Sequence, residues 1–143
     1  MAVRLSTYLT LIALLLAGVS SAHAEEETSK RTITVSLDAP ATNYSVKITH
    51  VYQAKEKLLV VAQIHKRGQF GGAAITRIKD SIQIEAPDLK IETYVLNKTW
   101  NWKGKEPYIY VSKAQLEKVL EETSPKLIWS TGKDKDKKTD KSD

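Results

Sequence analysis

Several residue types and motifs that carry enzyme chemistry are missing from this chain. It has no cysteine, which excludes disulfides, thiolate metal sites and a cysteine nucleophile. Histidine occurs only 3 times and never in an H-x-x-x-H spacing, so no metal site is predicted. The nucleophile motif G-x-S-x-G and the G-K-[ST] ending of a phosphate-binding loop are absent as well. We therefore predict a protein that is not an enzyme and holds no cofactor.

Long apolar runs are also scarce, and the one that stands out lies at the N-terminus. Residues 8–18 (YLTLIALLLAG) follow the positively charged Arg4 and precede Ala22-His23-Ala24, a cleavage pattern with small residues. The run is shorter than the roughly 20 residues that span a membrane, and a buried N-terminal helix is the alternative. We predict a signal peptide over residues 1–24, export to the bacterial periplasm or the medium, and no membrane span. The lack of cysteine fits a bacterial exported protein better than a eukaryotic one.

Composition sets the limits of the folded part. Residues 25–30 are polar and predict a flexible lead-in, whereas residues 131–143 mix lysine with aspartate and predict a disordered tail. The segment between them, 31–130, is long enough for one hydrophobic core and not for two. The chain carries a net charge of +5, and its aromatic and basic residues would suit a polyanion. Because export removes it from intracellular nucleic acid, we expect envelope polymers or lipid headgroups to be the polyanions within reach.

Alternating apolar residues predict β-strands through most of the segment 31–130. Residues 31–37 are apolar at every second position, whereas residues 58–62 are apolar on both faces, as in a central strand covered on two sides. Similar runs predict about seven strands in all, and a capping box of Ser112 with Gln115 begins one short helix. Successive hairpins predict a mainly β fold: a single antiparallel β-sandwich of the immunoglobulin-like kind, or a small barrel, with one short C-terminal helix.

Two polar features inside strands are candidates for chemistry. A hairpin loop at 54–57 would pair His50 with Val61 and place His65 far along the ladder, so the two histidines do not form a metal site. Asp80 interrupts an apolar strand. It is either a catalytic acid or a strand irregularity whose charge points to solvent, and we favour the second because a buried unpaired carboxylate is costly.

Two loops carry aromatic residues in a setting typical of binding surfaces. The loop HKRGQFGGAA holds the chain's one phenylalanine, Phe70, before Gly71 and Gly72. Glycine permits sharp reversals, so Phe70 either projects from the loop or folds back onto the core. The loop NKTWNWKGKEPY places Trp100 and Trp102 on one face of an extended segment. These indoles either form a platform for a ligand or close the end of the domain.

A small exported β domain with a glycine-rich loop is similar in organisation to the chagasin-type inhibitors of cysteine proteases. The likeness rests on GQFGG, a loose counterpart of that family's glycine-rich loop. The N-P-T-T-G-like and R-P-W-like loops of the family are absent, so none of its site residues carries over. The resemblance implies an immunoglobulin-like fold that presents a row of loops at one end.

These features together predict an exported, non-catalytic binding module with a protein partner. It would act as an inhibitor or accessory subunit of an envelope or secreted hydrolase, with Phe70 as the anchor and the lysines as a polar rim. The alternative is a carbohydrate-binding module that stacks a sugar ring on the tryptophan pair. Nucleic acid is not an expected partner. The predicted binding residues are the aromatic, glycine and lysine residues of the two loops: Phe70, Gly71, Gly72, Trp100, Trp102, Lys103 and Lys105.

Overall fold

The structure is a computed structural model that describes residues 27–132. The predicted signal peptide, the start of the predicted lead-in and residues 133–143 of the predicted tail lie outside the described residues. The protein is mainly β with one short helix, as the sequence predicts. The elements are β1 (Thr28–Ala39), β2 (Tyr44–Gln53), β3 (Lys57–Lys66), β4 (Thr76–Pro87), β5 (Lys90–Leu96), β6 (Ile109–Tyr110), α1 (Lys113–Thr123) and β7 (Lys126–Ser130).

The smaller of two sheets is an antiparallel pair of long strands, β1 and β4. Pairing continues from Ala39 opposite Thr76 to Thr28 opposite Pro87. For this reason β1 begins at Thr28 rather than at Arg31, and the strand takes in part of the predicted lead-in.

The larger sheet has five strands in the order β6-β5-β3-β2-β7. β2 pairs antiparallel with both β3 and β7, whereas the β3–β5 and β5–β6 pairs are parallel. The predicted antiparallel arrangement is therefore wrong for these two pairs. The physical reason is that β4 leaves to join β1 in the other sheet, so the chain returns to the end where β3 began. Neither described sheet closes on itself, which excludes the predicted small barrel for residues 27–132.

The main hydrophobic core lies between the two sheets. Val35 of β1, Ile48 of β2 and Val60 of β3 are fully buried in it. β3 is apolar on both faces because its sheet is covered on both sides. Its even-numbered residues contact the β1–β4 sheet, while Leu59 and Val61 face α1. The predicted central strand is confirmed.

Helix α1 covers the outer face of the larger sheet. Its N-terminus is closed by the predicted capping box, in which Gln115 N–H donates to Ser112 Oγ and Ser112 N–H donates to Gln115 Oε1. Its C-terminus ends at Ser124, which has the left-handed backbone of a C-cap (φ 43°) and donates its N–H to the Leu120 carbonyl. Leu116 packs against the outward side chains of β3 and β5. One face of this sheet is thus occupied by the core and the other by the helix.

Candidate functional site

Three loops meet at one end of the domain, which we call the loop end. They are residues 40–43, 67–75 and 97–108. The register brings the first two together, because Tyr44 at the start of β2 pairs with Lys66 at the end of β3. The third loop arrives at the same end because β5 runs parallel to β3. It is tied to β1 by Ser36 N–H, which donates to the Tyr108 hydroxyl at 3.0 Å. Both loops singled out from the sequence therefore lie at the same end.

Phe70 projects into solvent from a loop that is hydrogen-bonded to the neighbouring loop 40–43. Its side chain is 92% exposed, so it does not fold back onto the core. Gly72 N–H donates to Thr42 Oγ1 at 2.7 Å, and Thr42 N–H donates to the Gly72 carbonyl at 3.0 Å. Asn43 Nδ2 donates to the Arg67 carbonyl at 3.2 Å. The loop 67–75 is fixed by backbone and side-chain hydrogen bonds to the loop 40–43, while Phe70 stays exposed.

Gly71 is required by this bracing. A Cβ atom at position 71 would lie 2.7 Å from the Cβ of Asn43 and closer still to its amide group. Any other residue would displace the side chain that holds the loop. Gly71 and Gly72 therefore allow the backbone conformation of the segment that presents Phe70.

The two tryptophans have different environments. Trp100 is half-buried against the main core and packs edge-on against Tyr44, with ring centroids 5.3 Å apart and an interplanar angle of 76°. Trp102 lies 5.7 Å from Trp100 with a tilt of 39° between the planes, and it is 36% exposed. Trp100 closes the end of the domain and Trp102 is displayed, so each of the two alternatives describes one indole. Their tilt means that they do not form one flat platform.

Two lysines lie over aromatic rings of the loop end. Lys98 Nζ lies 5.4 Å from the ring centroid of Trp100 and 5.0 Å from that of Tyr110, and it donates to the Trp100 carbonyl. Partial burial, with a smaller contribution from the charge of Lys103, lowers the pKa of Lys98. On the other side, Lys66 Nζ lies 5.6 Å above the Tyr44 ring. The aromatic surface of the loop end thus carries cations on both flanks.

A shallow groove runs beside Trp102 and contains two carboxylates. Arg77 binds both of them: its Nε lies 3.1 Å from Asp38 Oδ1, and its Nη1 donates to Glu106 Oε1. The hydrogen bond from Arg77 lowers the pKa of Glu106. The groove is lined by Asp38, Arg77, Trp102, Lys103, Gly104, Lys105 and Glu106.

Neither Arg77 nor Glu106 is among the predicted binding residues, although the carbohydrate-binding alternative would use Glu106 to hydrogen-bond sugar hydroxyls. The signal that could have identified Arg77 is its position opposite Asp38 in the β1–β4 pair. That pairing depends on a register between strands far apart in the sequence. Lys103 and Lys105 were predicted, and both are exposed beside this ion-pair network.

The histidines lie apart, as predicted, but their register differs in part. His50 pairs with Val61 as expected, whereas His65 lies opposite Ser45 because an irregularity between Ile48 and His50 shifts the ladder by one residue. Burial lowers the pKa of His50. Within residues 27–132, no group of three or more His, Cys, Asp or Glu side chains is placed to hold a metal ion.

Asp80 has a structural contact that neither sequence interpretation included. Its Oδ2 accepts from Ile48 N–H at 2.8 Å, and its Oδ1 accepts from Ser81 N–H at 3.0 Å. β7 pairs with β2 only from His50 onwards, so Asp80 supplies an acceptor at Ile48, where β2 pairs with β3 but not with β7. The favoured interpretation of a charge that points to solvent is therefore wrong, because the side chain is half-buried and joins the two sheets.

Comparisons with known proteins add no family to this description. No protein-family model matches the chain, and no curated protein or solved structure matches it. Across residues 27–132, no helix is long and apolar enough to cross a membrane. Arguments about function therefore rest on the loop end itself.

Proposed function

We propose that this chain is an exported, non-catalytic binding module that docks on a protein partner through the loop end. The observation that carries the proposal is the exposure of Phe70, 92%, on a braced loop at the same end as Trp102. A phenylalanine that enters a pocket of a partner gains on the order of 1.5–3 kcal/mol from burial. The partner we propose is an envelope or secreted hydrolase, with this chain as its inhibitor or accessory subunit.

The bracing of the loop supports binding with little ordering cost. Thr42 and Asn43 hold the backbone around Gly72 and Arg67 before any partner arrives. Immobilising a flexible loop or side chain on binding usually costs about 0.5–1.5 kcal/mol for each side chain. A loop already fixed in one shape avoids part of that cost. In this proposal Phe70 is the anchor, Trp102 extends the apolar contact, and Lys103 and Lys105 form the rim.

The charge state of the groove supports a non-catalytic role. Its carboxylates, Asp38 and Glu106, are both bound by Arg77. Because that contact lowers the pKa of Glu106, its carboxylate is a poor proton acceptor near neutral pH. An ion-pair network of this kind suits the fixed, polar edge of an interface.

We also propose that the two packed sheets form a β-sandwich. The shared core of β1, β4, β2, β3 and β5 supports this description. The parallel β3–β5 pair departs from the antiparallel immunoglobulin pattern that the sequence predicts, so the proposal extends to the sandwich and not to an immunoglobulin-like strand order.

Export is part of the proposal and rests on the apolar segment 8–18.

Site-specific crosslinking tests the proposal. A photoreactive amino acid is placed at position 70, and a matched control is placed at Glu56, an exposed residue of the β2–β3 turn at the opposite end. In cells that export the chain, we expect one defined protein adduct from position 70 and none from position 56. With the partner purified, Phe70→Ala should weaken binding by about tenfold to a hundredfold, as for an interface hot spot.

The partner captured by crosslinking also shows whether this chain is an inhibitor or an accessory subunit. The activity of the captured hydrolase, measured with and without this chain, distinguishes an inhibitor from an accessory subunit. Equal labelling from positions 70 and 56, or unchanged affinity of Phe70→Ala, would show that the loop end is not the docking surface. Binding to soluble glycans that depends on Trp102, without a protein adduct, would favour the carbohydrate-binding alternative.

A further inference from the structure

The exposed large hydrophobic side chains of residues 27–132 are concentrated at the loop end. Phe70 is 92% exposed, Ile75 73% and Trp102 36%. The fourth member of this class, Ile109 at 39%, directly follows the loop 97–108. Scattered apolar residues are normal on a protein surface, but a concentration at one end marks a surface that interacts with something apolar.

The segment 70–75 is unusual among these features because it is exposed over its whole length. Its sequence is FGGAAI, and each of its six residues is exposed. It has no charged residue and no polar side chain, so it offers no directional side-chain hydrogen bond to a ligand. Such a segment can enter a fluid apolar medium without a matching partner for each group.

Cations without acidic partners lie at the same end of the domain as this segment. The loop end has only two carboxylates within the segments 38–43, 65–77 and 97–108, those of Asp38 and Glu106, and Arg77 binds both. Its other cations make no salt bridge to a carboxylate of residues 27–132. They are Lys66, Arg67, Lys98, Lys103 and Lys105.

We propose that the loop end binds the surface of an anionic phospholipid bilayer. Phe70 and Ile75 enter the region below the headgroups, and Trp102 lies at the level of the headgroups, where indoles are favoured. Lys103 and Lys105, with the neighbouring cations, contact lipid phosphates, and each cation near an anionic surface strengthens binding about fivefold. Binding needs both parts, because a short apolar insertion or a few cations alone give only weak attachment.

This inference goes beyond the proposed protein partner and does not rest on it. Phe70 cannot be inserted in a bilayer and in a protein pocket at the same time. A bilayer would therefore compete with the protein partner for the loop end.

Vesicle co-sedimentation tests the inference. The chain is expressed with its own N-terminal segment and purified from the exported fraction, and mass spectrometry establishes the N-terminus that all variants share. The probes are vesicles of phosphatidylcholine alone and of phosphatidylcholine with an equal part of phosphatidylglycerol. We expect binding to the mixed vesicles that weakens at high salt, and little binding to phosphatidylcholine alone.

Two variants separate the apolar and the cationic parts. The double substitution Phe70→Ala with Ile75→Ala should weaken binding by about tenfold or more, from the lost apolar burial. Lys103→Glu with Lys105→Glu should weaken it by about twentyfold or more, from two lost cations.

The matched control for the charge variant is Lys118→Glu with Lys126→Glu, which makes the same change in net charge at exposed positions outside the loop end. This control should bind like the wild type. All substituted residues are exposed, so the thermal unfolding curves should coincide with that of the wild type.

Three results would overturn the inference: no binding to mixed vesicles above that to phosphatidylcholine, an equal loss in the control charge variant, or no loss on removing Phe70 and Ile75. None of these results would contradict the proposal of a protein partner, because the crosslinking experiment tests that proposal independently. A protein adduct at position 70 together with absent vesicle binding would leave the protein partner as the sole ligand of the loop end.

Discussion

Replacement of Asp80 tests whether one carboxylate joins the two sheets. The side chain projects from β4, in the two-stranded sheet, and its Oδ2 accepts a hydrogen bond of 2.8 Å from Ile48 N–H of β2, in the other sheet. In Asp80→Ala this N–H group is left in a partly buried position without its acceptor. The substitution therefore removes a hydrogen bond and also leaves a desolvated donor unpaired.

The expected loss of stability follows from these two effects. A hydrogen bond to a charged group contributes about 1.5–3 kcal/mol, and we expect Asp80→Ala to lower the free energy of unfolding by about 2–3 kcal/mol. In a domain of this size that corresponds to a decrease in Tm of about 8 °C or more. Asp80→Asn retains an acceptor oxygen, so its loss should be about 1 kcal/mol. Urea unfolding of the purified chain, followed by tryptophan fluorescence, measures both values.

Asp88 provides the control. Its side chain is 99% exposed, and its one ion pair, with Arg31, has a long separation of 3.9 Å. Asp88→Ala should change the free energy of unfolding by no more than about 0.5 kcal/mol. The reasoning would be refuted if Asp80→Ala cost no more than Asp88→Ala. It would also be refuted if Asp80→Asn were as damaging as Asp80→Ala, because the acceptor would then not be the cause.

Three further predictions concern the loop bracing and the response to pH. Gly71→Ala should destabilise the protein by about 1–3 kcal/mol through overpacking against Asn43. Gly132→Ala, where an added Cβ contacts nothing, is the control, and equal urea midpoints for the two would contradict the bracing. At Glu92 the Tyr94 hydroxyl bond is the main cause of a lowered pKa, so its stabilisation is present above the ordinary carboxyl pKa and is lost as pH falls through the lowered value. The free energy of unfolding, measured with urea, should therefore decrease less steeply with falling pH in Glu92→Gln than in the wild type. Identical pH profiles would disprove the stabilising role of the Glu92 carboxylate. Burial, with that same bond, raises the pKa of Tyr94 to about 12, so its contribution should persist to about pH 10 and disappear towards about pH 12, as measured by tyrosine absorbance and unfolding.

The local elements could be predicted because each rests on a local pattern. The period-2 alternation of β1, the two apolar faces of β3 and the capping box of Ser112 are all set by neighbours in the sequence. The hairpin register is correct for the half of β2 nearest the turn. It fails beyond Thr49, where the strand has an extra residue. That irregularity lies where Asp80 and the end of β7 reach β2, contacts made by distant parts of the chain.

The parallel pairing could not be predicted, because no residue near β3 or β5 specifies it. It follows from the pairing of β4 with β1 over its full length, which takes β4 out of the larger sheet. Ile78 and Ile84 of β4 are buried in the core between the sheets, a long-range contact that the turn after β3 does not specify. A loop of glycine and alanine is compatible with a hairpin as well as with a crossover to the other sheet.

The candidate site was predictable in composition but not in geometry. The sequence identifies Phe70 and the tryptophans as loop residues. It cannot show that Tyr44 packs against Trp100 and leaves Trp102 displayed. The sequence likewise does not show that Arg77 pairs with both Asp38 and Glu106. Because these carboxylates are taken up by Arg77, the lysines of the loop end have no acidic partner among the described residues.

The requirements of folding do not account for the exposure of Phe70, and this is the strongest reason to regard the loop end as a binding surface. Elsewhere apolar residues serve the core: Leu59 and Val61 are covered by α1, and the outer face of the β1–β4 sheet carries polar pairs such as Thr34 with Ser81. Phe70 contacts no core, so a polar residue there would leave the stability unchanged and improve solubility. Stability is expected to be unaffected by Phe70→Ala, whereas binding is expected to fall. That separation between folding and binding is the property that distinguishes a docking residue from a packing residue.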